Sequence, residues 1–261
     1  MIRVGIGGWT YEDWRGGTFY PKGLPKTREL QFASRALTTI EINSTYYSAQ
    51  SPASFRRWAD ETPDGFVFSV KASRFATNRR VLAEARQSVE RFVTGGITEL
   101  KKKLGPILWQ FAPTKKFEPE DFEAFLRLLP KEQDGIKLGH AIEARHASFD
   151  AKPFVELARK YGAAIVVADS EKYPLFADVT ADFVYARLQK AKASVATGYT
   201  PAEIAKWAEH AESWAEGSDA KDLPRIGPAA TKTKRDVFVY MINGAKERAP
   251  AAAQALIAKL G

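Results

Sequence analysis

The sequence predicts an α/β protein, a single soluble (β/α)8 barrel over residues 1–261, and three observations predict it. The chain has 261 residues, 45% hydrophobic and 27% charged, which suits the roughly 250 residues of a one-domain barrel. Apolar, β-branched or aromatic runs of strand length recur eight times. They alternate with stretches of helical spacing, and parallel strands need such crossovers to be joined. Eight units of this kind close most economically into a barrel.

The strands are expected near 2–7, 38–43, 66–71, 106–111, 139–145, 163–169, 182–188 and 236–243, and the helices near 26–37, 52–61, 81–103, 119–129, 151–161, 201–216 and 246–260. Asp150 and Thr200 are of the type that caps a helix N-terminus, and Pro52, Pro119 and Pro201 fall where a first turn tolerates a missing N–H. Segment 170–181 is too short for a full helix, so the sixth unit is the weakest. Gly95-Gly96 marks a kink or a boundary inside the third helical stretch. The run 217–234, rich in Gly, Pro, Lys and Ala, reads as a long loop, because a strand and a helix follow it. An open doubly wound sheet is the competing architecture. Its phosphate fingerprint is not met, since Gly5, Gly7 and Gly8 lead into Trp9 and not into a helix.

Composition removes several classes of function. The chain has no cysteine, which excludes disulfides, thiolate catalysis and Cys-ligated metal. No run of about 18 apolar residues is present, and no charged and apolar leader precedes Ile2. A cytoplasmic protein with no membrane partner is therefore expected. The net charge of +8 favours anionic partners, either small molecules or nucleic acid.

Side chains alternate faces along a strand, and this parity locates a site. In the second strand Ile40 and Ile42 form an apolar set and Glu41 and Asn43 a polar one, so the polar set is expected to face into the barrel near its top. The same reading yields Ser69 and Lys71, then Gln110, Glu143 and Arg145, Asp169, Tyr185 and Arg187, and finally Asn243. Each lies toward the carboxyl end of its strand, where barrel enzymes carry their chemistry. Glu41, Lys71, Glu143 and Asp169 are the catalytic candidates. Trp9, Tyr11, Asn43, Tyr46, Gln110, Arg145, His146, Arg187 and Asn243 are the ligand-binding ones. The bland alternative is a salt-bridge lattice that only closes the barrel. Buried ion pairs often fail to repay their desolvation, so six charges at one end are easier to explain by a ligand.

Several strings carry a resemblance: G-G-W-T-Y-x-x-W at 7–14, F-Y-P-K-G-L at 19–24, E-I-N-S-T-Y-Y at 41–47 and P-x-x-F-x-F-S-V-K at 63–71. L-G-P-I-L-W-Q-F at 104–111, I-E-A-R-H-A-S-F at 142–149 and A-D-S at 168–170 extend it. Over about two thirds of the chain the sequence resembles the YecE-like family, a TIM-barrel family known as domain of unknown function 72. The resemblance implies the barrel and supplies no reaction. The last third departs from it: where the family has Arg-Leu-His-Gly after strand seven this chain reads Arg187-Leu188-Gln189-Lys190, and where the family ends strand eight with Phe-Asn-Asn it reads Met241-Ile242-Asn243-Gly244, so a histidine and an asparagine are missing.

Three readings of the chemistry compete. In the first, an enzyme or binder acts on a phosphorylated or nucleotide-like anion, with Glu41 or Glu143 moving a proton and Lys71, Arg145 and Arg187 as clamps. Lys71 is also a candidate Schiff-base amine, against the plainer role of partner to Glu41 or Glu143. In the second, a non-catalytic barrel grips nucleic acid through the basic loops carrying Arg74, Arg79, Arg80, Lys115, Lys116, Lys190 and Lys192 and the rings of Trp9, Tyr11, Trp14, Phe19, Tyr20, Tyr46 and Tyr47. In the third, Glu41, Glu143 and Asp169 hold a divalent ion in a phosphodiesterase. With only three histidines, and only His146 near the top, no zinc cluster can be built, and no metal ligand is assigned. The sequence identifies no cofactor. Arg145 and Arg187 are both expected to tolerate replacement by Met.

Overall fold

The computed structural model describes all residues from Met1 to Gly261. Eight parallel strands form the barrel: β1 (Ile2–Gly7), β2 (Thr39–Ile42), β3 (Val67–Lys71), β4 (Leu104–Gln110), β5 (His140–Glu143), β6 (Ala164–Ile165 and Val167–Asp169), β7 (Phe183–Leu188) and β8 (Asp236–Met241). The sheet closes on itself. The first segment of β6 pairs with β5, its second segment pairs with β7, and β8 pairs with both β7 and β1.

Seven helices of eight residues or more pack outside, α1 (Glu29–Ala36), α2 (Pro52–Glu61), α3 (Arg86–Val93), α4 (Pro119–Leu128), α5 (Lys152–Tyr161), α6 (Pro201–Ala215) and α7 (Ala249–Leu260), and single helical turns at Ser44–Tyr47 and Arg74–Thr77 follow β2 and β3. As expected, β6 and β7 are joined without a helix. The expected helix 81–103 is α3 between two 3-10 stretches, Leu82–Ala85 and Ile97–Lys103, and the break falls at Gly96, whose φ of 102° suits glycine. A small hairpin, Glu132–Gln133 with Ile136–Lys137, was not anticipated. Its strands are too short to alternate, although its Asp134-Gly135 turn, with both φ values positive, is a hairpin signal.

The helix starts follow the sequence with one correction. Thr200 caps α6 in a reciprocal box with Glu203, and Pro52, Pro119 and Pro201 open their helices. Asp150 does not cap α5. It closes the 3-10 turn Ala147–Phe149, so the cap position falls to Ala151, which has no side-chain acceptor.

Two apolar cores result. The larger lies between strands and helices and takes in the outward set, including Ile40, Ile42, Val70, Ile107, Trp109 and Ile142. The smaller fills the barrel with Val67, Leu108, Ala141, Ala164, Val166, Ala168, Phe183, Tyr185, Phe238, Tyr240 and Ile242. Alanines on β5 and β6 leave room for the rings of β7 and β8, the interdigitation of small and large that a filled barrel requires. The β1 strand presents Gly5 and Gly7 inward. A Cβ at Gly5 would stand 1.8 Å from the Thr39 carbonyl oxygen, so that position accepts no side chain. No helix is long and apolar enough to cross a membrane.

Candidate functional site

Above the apolar filling the barrel becomes polar in steps. Tyr240 and Tyr185 direct their hydroxyls upward, against Thr39 Oγ1 at 2.9 Å and Ser69 Oγ at 2.8 Å. The next layer is charged. Arg187 on β7 reaches across the barrel and donates through Nε and Nη2 to the two oxygens of Glu41, at 3.0 and 2.9 Å, and through Nη1 to Glu143. Tyr185 donates to Glu41 at 2.7 Å. Gln110 Nε2 and Arg145 Nε donate to Glu143 at 2.9 and 2.8 Å. Glu41, Glu143 and Arg187 are all buried. Burial pushes the Glu143 carboxyl up, but the Arg187 and Arg145 guanidiniums overcome this and hold it at about 2. Glu143 is therefore an ionised acceptor with little basicity at neutral pH.

This layer is the floor of an open basin of about 940 Å³ at the carboxyl ends of the strands. Of the residues placed in the ring by parity, Asn43, Lys71, Gln110, Arg145, Arg187 and Asn243 line the basin, and Glu41 and Glu143 lie beneath it, bonded to Arg187. Trp9 lines it too, packed edge-on against Trp58 at 5.1 Å between ring centroids.

Lys71 is the outlier among the cations. The two carboxylates nearest it are taken by arginines, and it forms no ion pair. Its ammonium rests instead over the Tyr46 ring, 4.0 Å from the centroid. Burial lowers Lys71 to about 8, and repulsion from Arg187 adds to this against the attraction of Glu41 and Glu143. Arg145 uses Nε for Glu143 and stacks on Tyr173 at 4.4 Å, which leaves its outer nitrogens without a carboxylate.

Several expected site residues lie elsewhere. Asp169 does not join the ring: Ala164, Val166 and Ala168 are the inward set of β6, and Asp169 pairs with Lys190 at 2.7 Å. The three carboxylates proposed for a metal thus fail to converge, and no cluster of three such ligands occurs. His146 accepts the Ser148 N–H with Nδ1 and caps the turn that follows it. Tyr11 packs on Trp14 and under Lys246, outside the basin lining. Tyr46 covers Lys71 without lining the basin. In loop 1, Trp14 and Tyr20 are buried and Phe19 packs against both, a structural role for all three rings. The loop cations are mostly spent locally: Lys115 on Asp121, Arg79 on Ser88 and the Phe75 carbonyl, Lys190 on Asp169 and Lys192 on Glu203.

The basin's other cations were not anticipated. Lys26 precedes α1, Arg57 and Glu61 lie on α2, and Lys246 follows β8. They come from helices and their leading turns, which strand parity does not reach. Lys26 and Lys246 have no carboxylate partner, and Arg57 pairs with Glu61 at 3.7 Å. Gly7 belongs to the same wall: a Cβ there would meet Asn43 Nδ2 at 2.7 Å and Ile242 at 3.1 Å. Gln189, which stands where the family pattern has histidine, accepts from Asn243 Nδ2 through Oε1 at 3.3 Å.

Comparison with known proteins gives a family and a fold. A family model described as a protein of unknown function, DUF72, matches residues 3–261. The UPF0759 protein YunF of Bacillus subtilis is 27% identical over 161 residues, which are 60% of this chain and 55% of that one. The UPF0759 protein YecE of Escherichia coli K12 is 27% identical over 155 residues, 58% of this chain and 51% of that one. The chain thus matches about half the length of these curated relatives. The crystal structure of a DUF72 family protein (TM1631) from Thermotoga maritima superposes with a TM-score of 0.72 at 23% identity, covering 98% of this chain and 97% of that one. That of EF0366 from Enterococcus faecalis superposes with a TM-score of 0.71 at 18% identity, covering 100% and 95%. With the model spanning nearly every residue and the same barrel in both solved structures, the chain belongs to the DUF72 family.

Proposed function

We propose that the basin binds an anionic small molecule, phosphorylated or nucleotide-like, and that Lys71, Arg145 and Lys246 hold its charge. The observation that carries this is the mismatch of charge in one open space. Lys26, Lys71 and Lys246 have no carboxylate partner, Arg145 has two free outer nitrogens, and Glu61 is the one carboxylate of the lining. Phosphate oxygens match such donors, the guanidinium in paired fashion and the ammonium as a point charge. The volume falls within the ~300–1,000 Å³ of small-molecule sites. Arg187 is a structural cation in this reading, because three of its N–H groups are committed to carboxylates. Glu41 and Glu143 orient the arginines in this reading.

Calorimetric titration with inorganic phosphate and with a short single-stranded oligonucleotide, each at low and moderate salt, tests the proposal. Phosphate should bind the intact protein. Arg145→Met should weaken it by roughly tenfold or more, as for the loss of one charge-assisted bond, and Lys102→Met, an exposed control, should leave it unchanged. Oligonucleotide binding that falls steeply with salt, with none for phosphate, would favour the nucleic-acid reading instead.

A further inference from the structure

We propose that Lys71 is a nucleophilic amine that condenses with the carbonyl carbon of an anionic aldehyde or ketone held in the basin. This rests on the anion-binding reading and adds a reacting group to it.

The plain role for Lys71 is a salt bridge, and the structure removes it. Glu41 has both oxygens on Arg187, and Glu143 is shared between Arg187, Arg145 and Gln110. Lys71 is left at the carboxyl end of β3, 8% exposed, lining the basin with no hydrogen-bond acceptor and only a ring face beside it. A purely structural lysine this deeply set would be given a carboxylate, whereas the Lys71 ammonium meets a ring face and the open basin. The groups facing it are Arg187 from β7, Arg145 beyond β5, Glu41 from β2, Glu143 from β5 and the Tyr46 ring beyond β2. Burial, with the arginines adding to it, lowers Lys71 to about 8, so near neutral pH far more of it carries a free lone pair than of an ordinary lysine.

The step balances without a further reactant. The Nζ lone pair attacks the carbonyl carbon, the C–O π pair moves to oxygen, and one amine hydrogen follows it to give a carbinolamine. The hydroxyl then leaves with the second amine hydrogen as water, forming the C=N bond, and the same water hydrolyses the imine in reverse. The anionic group of such a substrate would lie toward Arg145 and Lys246.

Pyridoxal 5′-phosphate, an aldehyde with a phosphate, is the probe. Brief exposure of the intact protein at pH 7.5, borohydride reduction and peptide mass spectrometry report which lysines have formed imines. Lys71 should label about tenfold or more faster than Lys102, inorganic phosphate should slow Lys71 and spare Lys102, and Lys71→Arg should abolish the fast phase. Labelling of Lys71 no faster than Lys102, in a protein that binds phosphate, overturns the inference and leaves the anion site standing. Fast labelling that phosphate does not slow overturns the assignment of an anionic substrate.

Discussion

Arg187→Met would leave Glu41 and Glu143 facing each other in the barrel without their shared cation, and the expectation that this position tolerates Met is corrected by its geometry. Removing one partner of a buried ion pair costs about 3–5 kcal/mol, so chemical denaturation of Arg187→Met should show a loss of that order. Arg145→Met, whose side chain is more exposed, should stay within about 1–2 kcal/mol of the parent. Glu143 adds a pH dependence. Its folded value lies below the unfolded one, so its contribution is present above about pH 4.3 and is lost as pH falls through about 2. At this scale parity found most of the mouth, because β2, β3, β5 and β7 place polar residues on one parity near their carboxyl ends and β4 ends on Gln110 of the inward parity. It failed on β6, where Asp169 ends an apolar run with no alternation to fix its face. It could not distinguish Lys71 from Arg187, since which cation takes the carboxylates depends on reach across the barrel.

Elements give two further tests. Trp109 on β4 donates its indole N–H to His140 Nδ1 on β5 at 3.0 Å, so the ring proton sits on Nε2 and is donated to the Pro130 carbonyl at 2.8 Å. A second ring proton would face the indole donor, and burial lowers His140 to about 4. The folded value is depressed, so this stability is complete above about pH 6.5 and is lost as pH falls through 4. Between about pH 7 and about pH 5 it should decline by roughly 2 kcal/mol, read from urea unfolding, and His140→Phe should flatten the profile. Thr200→Ala should cost about 1 kcal/mol by breaking the α6 capping box. Gly5→Ala should be far worse, because the contact is with backbone that cannot rotate away. Strand and helix positions were legible from periodicity and from proline at first turns. The α5 cap was not, since Asp150 suits a cap equally well but is consumed by the turn before it.

On the scale of the whole molecule, the net charge of +8 does not lie where the sequence directed attention. Most of the cations on the loops after β3, β4 and β7 are held by local partners, and the unpaired ones that share the basin come from β3, the turn before α1 and the loop after β8. Pairing is a tertiary property, and a sequence shows only which cations exist. The bland lattice is present as a satisfied Glu41–Arg187–Glu143–Arg145 floor, and the proposed binding site is the layer of unpaired lysines above it. The direct test of that division is a crystal of the protein soaked with phosphate at the concentration that saturates the titration. Phosphate is expected in hydrogen-bond contact with Lys71 Nζ and the outer nitrogens of Arg145. An empty basin, or phosphate held only by the loop cations Arg79, Lys115 and Lys190, would contradict the account.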